Sequence, residues 1–195
     1  MPIKLNGATS GSIELGVPAD VGSDVTGILL PTTAGTLDRL ERAGNVLQVV
    51  AVGTDTQVEV ASTTYTDSGL SASITPSNAS SKILVMVDQF VLVDRAASNH
   101  FAGIRLQRGN TTIMTPVADA TGPFGLGMNI TGATVVQQWQ QWSNIFLDSP
   151  NTTNSVTYKT QGRMYQTSSS GRMVFQQNSS QGDGSSRMIL MEVAA

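Results

Sequence analysis

One stretch of the chain is apolar at nearly every position and is the longest such run in the sequence. It extends from Ser81 to Val93 and reads SKILVMVDQFVLV. Apolar residues at consecutive positions indicate a strand covered on both faces or a buried helix. A strand is favoured because the run is rich in β-branched residues and neither end carries a helix cap. Asp88 and Gln89 interrupt the run, which a β-bulge or a subunit contact would explain.

Shorter apolar or alternating runs, bounded by turn-forming residues, predict the remaining strands. They cover residues 46–52, 57–66, 70–75, 101–108, 111–115, 135–148, 156–161, 172–176 and 188–193. Turns are predicted at 67–69 and at Gly109-Asn110, and loops at 116–133 and 177–184. This many strands with hardly any helix predict an all-β fold, an antiparallel two-sheet β-sandwich that is jelly-roll-like, over residues 46–195.

Residues 1–45 are predicted to form an extended N-terminal arm that ends in a short helix. Two short strands, 13–17 and 25–30, precede a helix over 37–43 that Thr36 caps and Gly44 ends. About ten sizeable apolar side chains return at most about 15–30 kcal/mol, whereas fixing the backbone costs about 1–2 kcal/mol per residue. We therefore expect the arm to be ordered by a partner surface, either its own domain or a neighbouring subunit. Its anchoring side chains are Leu5, Ile13, Leu15, Val17, Val25, Leu29 and Leu30.

Two leucines of the predicted helix, Leu37 and Leu40, share one face. They would pack a helical linker onto the domain, or they would form a short seam around a symmetry axis. One heptad is too short to specify a coiled coil.

Charge is sparse, because only 13% of the residues are charged, about half the usual share. A weakly charged surface is available for burial against other subunits, since ions are costly to desolvate. The net charge of −3 argues against nucleic-acid binding, which needs a basic face. No apolar stretch is long enough for a membrane-spanning helix and no signal peptide is recognised, so we expect no membrane insertion and no classical export.

The residues that usually carry chemistry are few and scattered. The chain has one histidine, His100, and no cysteine, which excludes a Cys–His pair and a zinc site built on histidines. The carboxylates lack the recognisable spacing of a glycosidase pair; the candidates are Asp67, Asp88, Asp94, Asp119, Asp148 and Glu192. We therefore expect no catalytic residue, no metal site, no cofactor and no enzymatic activity.

Two tryptophans lie among glutamines in the segment QQWQQW. Trp139 and Trp142 are three positions apart, so on a strand they point to opposite faces, and one is expected in the core and the other exposed. Aromatic rings among amides suit stacking on sugars, although burial in a core or subunit interface is commoner. Trp142 is the candidate contact to a glycan or a partner.

Seven segments of the chain carry a family resemblance. They are LNGATSGSIEL at 5–15, LPTTAGTL at 30–37, LQVV at 47–50, SITPSNASSKILV at 73–85, FLDSP at 146–150, TYK at 157–159 and RMILMEV at 187–193. Together they resemble a family of virion structural proteins from marine tailed phages, cyanophages especially, which are loosely described as tail fibres. The segments correspond to turns and strand edges, so the resemblance implies a fold and a setting more than an activity.

The resemblance implies a non-enzymatic tail-fibre or head-fibre appendage, anchored to the virion by residues 1–45 with the sandwich outward. Its expected partners are copies of itself in a homotrimer, other virion proteins (tail, portal-adaptor or major capsid protein) and a host-surface glycan. Its expected location is the virion, assembled in the host cytoplasm. If the sandwich has a recognition surface, loops 116–133 and 177–186 are its candidates.

Two alternatives stay open at the level of the sequence. A capsid decoration (cement) protein would lay the same arm over the shell and clamp neighbouring subunits. A free carbohydrate-binding module would use one exposed tryptophan and would not need the arm.

Overall fold

The computed structural model describes residues 3–6, 12–15, 43–95, 100–115, 126–128, 136–165, 171–179 and 182–195. The chain forms two compact units, Met1–Arg39 and Leu40–Ala195. In the first unit, β1 (Ile3–Asn6) pairs antiparallel with β2 (Ser12–Leu15), and Leu5 lies opposite Ile13. The sequence does not predict β1, because four residues are too few to show a period.

All regular structure described in the second unit is β-structure. Its strands are β3 (Val46–Thr54), β4 (Val58–Val60), β5 (Thr66–Ile74), β6 (Lys82–Arg95), β7 (His100–Arg108), β8 (Thr111–Met114), β9 (Leu126–Met128), β10 (Val136–Asp148), β11 (Val156–Met164), β12 (Arg172–Phe175), β13 (Asn178–Ser179), β14 (Gly182–Asp183) and β15 (Ser186–Val193).

Eleven of these strands form two antiparallel sheets with jelly-roll connectivity, and β13 pairs only with β14. The first sheet runs β3-β15-β6-β10, and β12 and β4 extend it beside the far half of β6. The second sheet runs β5-β11-β7-β8, with β9 also paired to β7. The chain crosses repeatedly between the sheets, so each sheet places strands side by side that are distant in sequence. The predicted all-β, two-sheet sandwich is confirmed.

Strand β6 is the centre of the first sheet, as its apolar run predicted. One edge pairs with β10 from Ile83 to Arg95 without a register shift, so the bulge expected at Asp88 and Gln89 is wrong. The other edge pairs first with β15, up to Asp88, and then with β12, from Val91 onward. The polar interruption therefore marks a change of partner strand.

Buried polar groups close the gap where β6 changes partner. The Phe90 amide donates to Ser186 Oγ over 3.0 Å, and the Gln176 amide donates to the Phe90 carbonyl over 3.2 Å. The side chains of Gln89, Gln176 and Ser186 are fully buried there. The amide and the carbonyl of Phe90, which lack a ladder partner on this edge, thus both find another partner, as buried backbone groups require.

The core lies between the two sheets. Alternate residues of β6 point into it, namely Ile83, Val85, Val87, Val91 and Val93. The second sheet contributes Leu70, Ile74, Ile104, Leu106, Tyr158 and Met164 to this core. The prediction that β6 is covered on both faces is wrong for its first half, because Leu84 and Met86 on the other face are only half-buried.

The turn predicted at residues 67–69 is wrong, because these residues belong to β5. Gly69 has a φ of +82°, and the pairing of β5 with β11 shifts register between Lys159 and Gln161. A β-bulge can use the same positive φ as a turn, which explains why the Asp-Ser-Gly sequence was ambiguous. In contrast, the hairpin turn at Gly109-Asn110 joins β7 to β8 as predicted.

Several other expectations are corrected or fall outside the described residues. The strand at 57–66 shortens to β4, the loop at 116–133 contains β9, and the loop at 177–184 contains the β13–β14 hairpin. The helix predicted over 37–43 lies outside the described residues except for its last position, which is a turn. Of the anchoring and seam residues, those outside the described ranges are Val17, Val25, Leu29, Leu30, Leu37 and Leu40.

Candidate interaction surface

The outward side of the first sheet carries a continuous apolar surface. Residues that lie opposite one another on β3, β15, β6 and β10 form rows across the sheet. In two adjacent rows, every one of the four strands contributes an apolar side chain. We call this surface the apolar face, and it consists of Val46, Val49, Ala51, Leu84, Met86, Ile145, Leu147, Ile189, Met191 and Val193.

Much of the apolar face is open to solvent. Ile145 is 69% exposed, Val46 is 54% exposed, and both Leu147 and Val49 are 53% exposed. Single exposed apolar residues are ordinary, but a contiguous group on one sheet face typically marks an interaction site. The alternation of each strand produces this surface, because strands that are apolar at consecutive positions put only half of their side chains into the core.

A depression that contains the charged side chains of Asp88 and Arg187 lies at one end of the apolar face. The depression has a volume of about 580 Å³ and is lined by Met86, Val87, Asp88, Ser143, Asn144, Ile145, Arg187 and Ile189. Asp88 accepts a hydrogen bond from Ser143 Oγ at 2.7 Å. Arg187 lies opposite Asp88 in the β15–β6 register and is exposed, with no hydrogen bond or ion pair to the described part of the chain.

The outward side of the second sheet is polar and internally paired. This polar face presents Asp67, Ser71, Ser73, Arg105, Thr157, Lys159, Gln161 and Arg163, and Gln107 on the same side is buried. Arg105 donates to Gln161 at 2.8 Å, and Lys159 lies 3.0 Å from Asp67. Burial tends to raise the pKa of Asp67, but hydrogen bonds from Gln161 and Lys159 outweigh it and lower the pKa. One chain therefore has one outer face suited to water and another that is not.

The two tryptophans point to opposite faces of β10, as predicted. Trp142 is half-buried and packs against both halves of the core. Trp139 is 47% exposed on the outward side, opposite Leu92 of β6. The sequence could not tell which indole is exposed, because that depends on the register of β10 against β6. Contact of Trp142 with a glycan or partner stays a prediction, and the geometry favours Trp139 for it.

The candidate carboxylates are engaged by their own chain wherever their side chains are described. Asp148 accepts from Tyr158 Oη at 2.7 Å and from Arg108 at 2.9 Å. Burial, together with the hydrogen bond to Asp148, raises the pKa of the Tyr158 hydroxyl far above its usual range. Asp94 accepts from Arg172 at 3.0 Å. Asp119 lies outside the described residues.

Glu192 is the most strongly perturbed carboxylate that the structure describes. It is fully buried on β15 and accepts from Gln48 Nε2 at 2.6 Å and from the Ser77 amide and hydroxyl at 2.8 and 2.7 Å. Burial by itself raises the pKa of Glu192, but these hydrogen bonds outweigh it and lower the pKa to about 2. The carboxylate ties the turn before β6 to the end of the first sheet.

Replacing Glu192 by glutamine should lower the free energy of unfolding at neutral pH by about 2 kcal/mol. The folded pKa of about 2 lies below the ordinary glutamate value of 4.5. The contribution of Glu192 to stability is therefore complete above the unfolded pKa and is lost as the pH falls through the folded pKa. The stability difference between wild type and Glu192→Gln should therefore shrink between pH 4.5 and about 2. Urea denaturation across this window measures it.

The matched control for Glu192 is Asp55→Asn, in the exposed segment between β3 and β4. Its stability difference from wild type should stay within about 0.5 kcal/mol throughout the window. A Glu192→Gln difference that does not change with pH would contradict the ionised state of Glu192 in the folded protein.

The described residues offer no constellation for a metal. Within those ranges, no three His, Asp or Glu side chains come together as a metal ion would require. His100 begins β7. No helix in the part of the chain that the structure describes has the length and hydropathy needed to cross a bilayer.

Comparison with known proteins shows a distant likeness of fold and no family. No protein-family model matches the chain, and no curated protein matches it. Among solved structures it is similar to the T13 viral particle of IBDV, at 14% identity and a TM-score of 0.34, covering 95% of this chain and 42% of that one. It is also similar to infectious bursal disease virus strain Gx, at 14% identity and a TM-score of 0.33, covering 98% and 45%.

A third similar structure is the VP2 subviral particle of infectious bursal disease virus. It matches at 15% identity and a TM-score of 0.32, covering 97% of this chain and 44% of that one. The chain thus spans less than half the length of the proteins it matches.

Proposed function

We propose that this protein is a non-enzymatic structural component of a virus particle, a tail-fibre or head-fibre appendage of a tailed phage. Residues 1–45 would anchor it, and the jelly-roll would face outward. The observation that carries the proposal is the apolar face. Contact with another protein would remove this exposed apolar surface from water, which favours assembly. The resemblance to phage virion proteins supports the setting, and the sparse charge supports assembly.

The expected partners are copies of the same chain and other virion proteins, namely tail, portal-adaptor or major capsid protein. Homotrimer formation, which the resemblance implies, stays a prediction. The absence of enzymatic activity is part of the proposal, and it is supported by the internal pairing of the described carboxylates. Host-surface glycans are a further proposed partner, for which the exposed ring of Trp139 is the best stacking platform.

A capsid decoration protein is the alternative that the same surface supports. It would use the arm to clamp shell subunits, and stability of the shell would be its function. Localising the chain on purified particles by electron microscopy separates the proposals. Density on the tail, or on fibres projecting from the head, supports an appendage, whereas density lying over the shell supports decoration.

The anchoring role of the arm is tested by substitutions in its hairpin. We expect Leu5→Asp with Ile13→Asp, which lie opposite each other in β1 and β2, to abolish incorporation into particles. The matched control changes the neighbouring opposed pair, Lys4→Gln with Glu14→Gln, and should be incorporated normally. Quantitative mass spectrometry of purified particles measures incorporation. Equal incorporation of both variants, or absence of the wild-type chain from particles, would overturn the proposal.

A further inference from the structure

We propose that the apolar face binds the same face of a second copy of this chain about a two-fold axis. This inference rests on the proposed contact between copies of the same chain and names the surface that carries it. It replaces the homotrimer that the resemblance implies with a two-fold pair. The binding partner is a second copy of the chain, and the experiment described below would show a monomer if this is wrong.

Composition of the apolar face is the first argument. Its two central rows contain only aliphatic residues, alanine and methionine, among them Met86, Ile145 and Met191. Interface centres are depleted in Lys, Glu and Asp and enriched in methionine. The polar face of the second sheet is an internal comparison, because the same fold and chain place serine, threonine and paired charges at equivalent positions there. The apolar pattern is therefore specific to one sheet.

The size of the face is the second argument. Four strands spaced about 4.8 Å apart, with rows about 6.6 Å apart, give roughly 250 Å² for the two apolar rows. The two flanking rows, which contain Lys82 and Asp88 on β6, raise the area to roughly 500 Å². Specific interfaces bury at least about 1,000 Å² in total, or about 500 Å² per partner. The face reaches this threshold only together with its two flanking rows, so we expect a reversible complex whose mass depends on protein concentration.

Charge placement identifies the occupant as a second copy. Asp88 and Arg187 lie side by side at the border of the face, in register on β6 and β15. In a two-fold contact, each residue meets its complement reciprocally, so Arg187 can face Asp88 of the partner subunit while Asp88 faces the partner's Arg187. A partner surface of uniform sign would repel one of the two. Arg187 has no ion pair in the described part of the chain, so it is available for this contact.

The test measures the mass of the full-length chain in solution by sedimentation over a range of concentrations. We expect wild type to reach an even multiple of its 20.5 kDa chain mass and Ile145→Asp to halve that mass. Ile145 is 69% exposed, so the aspartate costs little in the isolated chain. The control, Ser71→Asp, places the same charge at an exposed strand position on the polar face and should leave the mass unchanged.

A second set of variants tests the two-fold register. Arg187→Asp brings two carboxylates together across the interface and should weaken association at least tenfold, whereas the charge exchange Arg187→Asp with Asp88→Arg should restore it. Thermal unfolding of each variant reports the fold separately. These exposed positions keep the test valid even if Ile145→Asp does not fold.

Each outcome decides the inference. A wild-type monomer, an odd-numbered oligomer, an Ile145→Asp protein with wild-type mass, or an Arg187→Asp protein with unchanged association would overturn it. The result is independent of particle incorporation. A chain that pairs in solution but is missing from particles would uphold this interface and overturn the proposed function. A chain that is monomeric in solution but present in particles would overturn this interface and uphold the proposed function.

Discussion

Replacing Gly162 with alanine is expected to lower the free energy of unfolding by about 3 kcal/mol, the upper part of the usual range for overpacking a core. Gly162 is buried on β11 and points toward the first sheet. A methyl group there would lie 2.5 Å from Met173 Sδ and 2.5 Å from Phe175 Cζ. Both neighbours are fully buried, so neither can move aside without disturbing the core.

The loss should appear as a melting temperature lower by about 6–12 °C for a domain of this size and as a lower urea midpoint. Gly53→Ala is the control, because its new methyl would meet nothing closer than 3.6 Å and should change stability by less than about 0.5 kcal/mol. Adding Phe175→Leu to Gly162→Ala should recover part of the loss. If Gly162→Ala is as stable as wild type, the close packing of β11 on β12 is wrong.

Replacing Asp148 with alanine is expected to cost about 3 kcal/mol, as for other buried ion pairs that lose one partner. The substitution leaves the Tyr158 hydroxyl, which is fully buried, without its acceptor. It also removes both carboxylate oxygens that Arg108 contacts, at 3.0 and 2.9 Å. The contacts of Asp148 with Arg108 and Tyr158 join the end of β10 to β7 and β11. We therefore expect the link between the two sheets to weaken at that end.

A mutant cycle separates the two contacts of Asp148. Tyr158→Phe should cost about 1 kcal/mol, because it removes one hydrogen bond and keeps the ion pair with Arg108. The double variant should be less destabilised than the sum of the single variants, because Asp148→Ala already leaves the hydroxyl unpaired. Asp67→Ala, which removes an exposed carboxylate from its pair with Lys159, is the control and should cost less than about 1 kcal/mol.

The fold class was predictable because strand signals are local. The apolar run of β6 and the alternation of β11 identify strands without knowledge of their neighbours, and the Gly109-Asn110 turn connects β7 to β8 in a way that the turn residues require. Where the prediction failed, local chemistry allowed two outcomes. Asp67, Ser68 and Gly69 suit both a turn and a bulge, and the pairing with β11 selects the bulge.

The candidate interaction surface was not predictable from the same signals. From the sequence, Asp88 and Gln89 indicate a bulge or a subunit contact, and Trp142 is the candidate contact to a glycan or a partner. Both assignments needed the register of β6 against β10 and β15. A shift of one residue would exchange every inward and outward side chain of a strand, so exposure of Ile145, Trp139 or Arg187 depends on long-range pairing.

The sequence by itself determined that this is an all-β chain with a low charge density and a two-sheet core, because these properties follow from the periodicity and composition of single segments. The tertiary structure alone decided which residues share a face. Strands β3, β6, β10 and β15 are far apart in the chain, and only their pairing aligns Val49, Met191, Leu84 and Leu147 into one exposed apolar row. Contacts between distant segments depend on the whole fold, and so does any surface made from them.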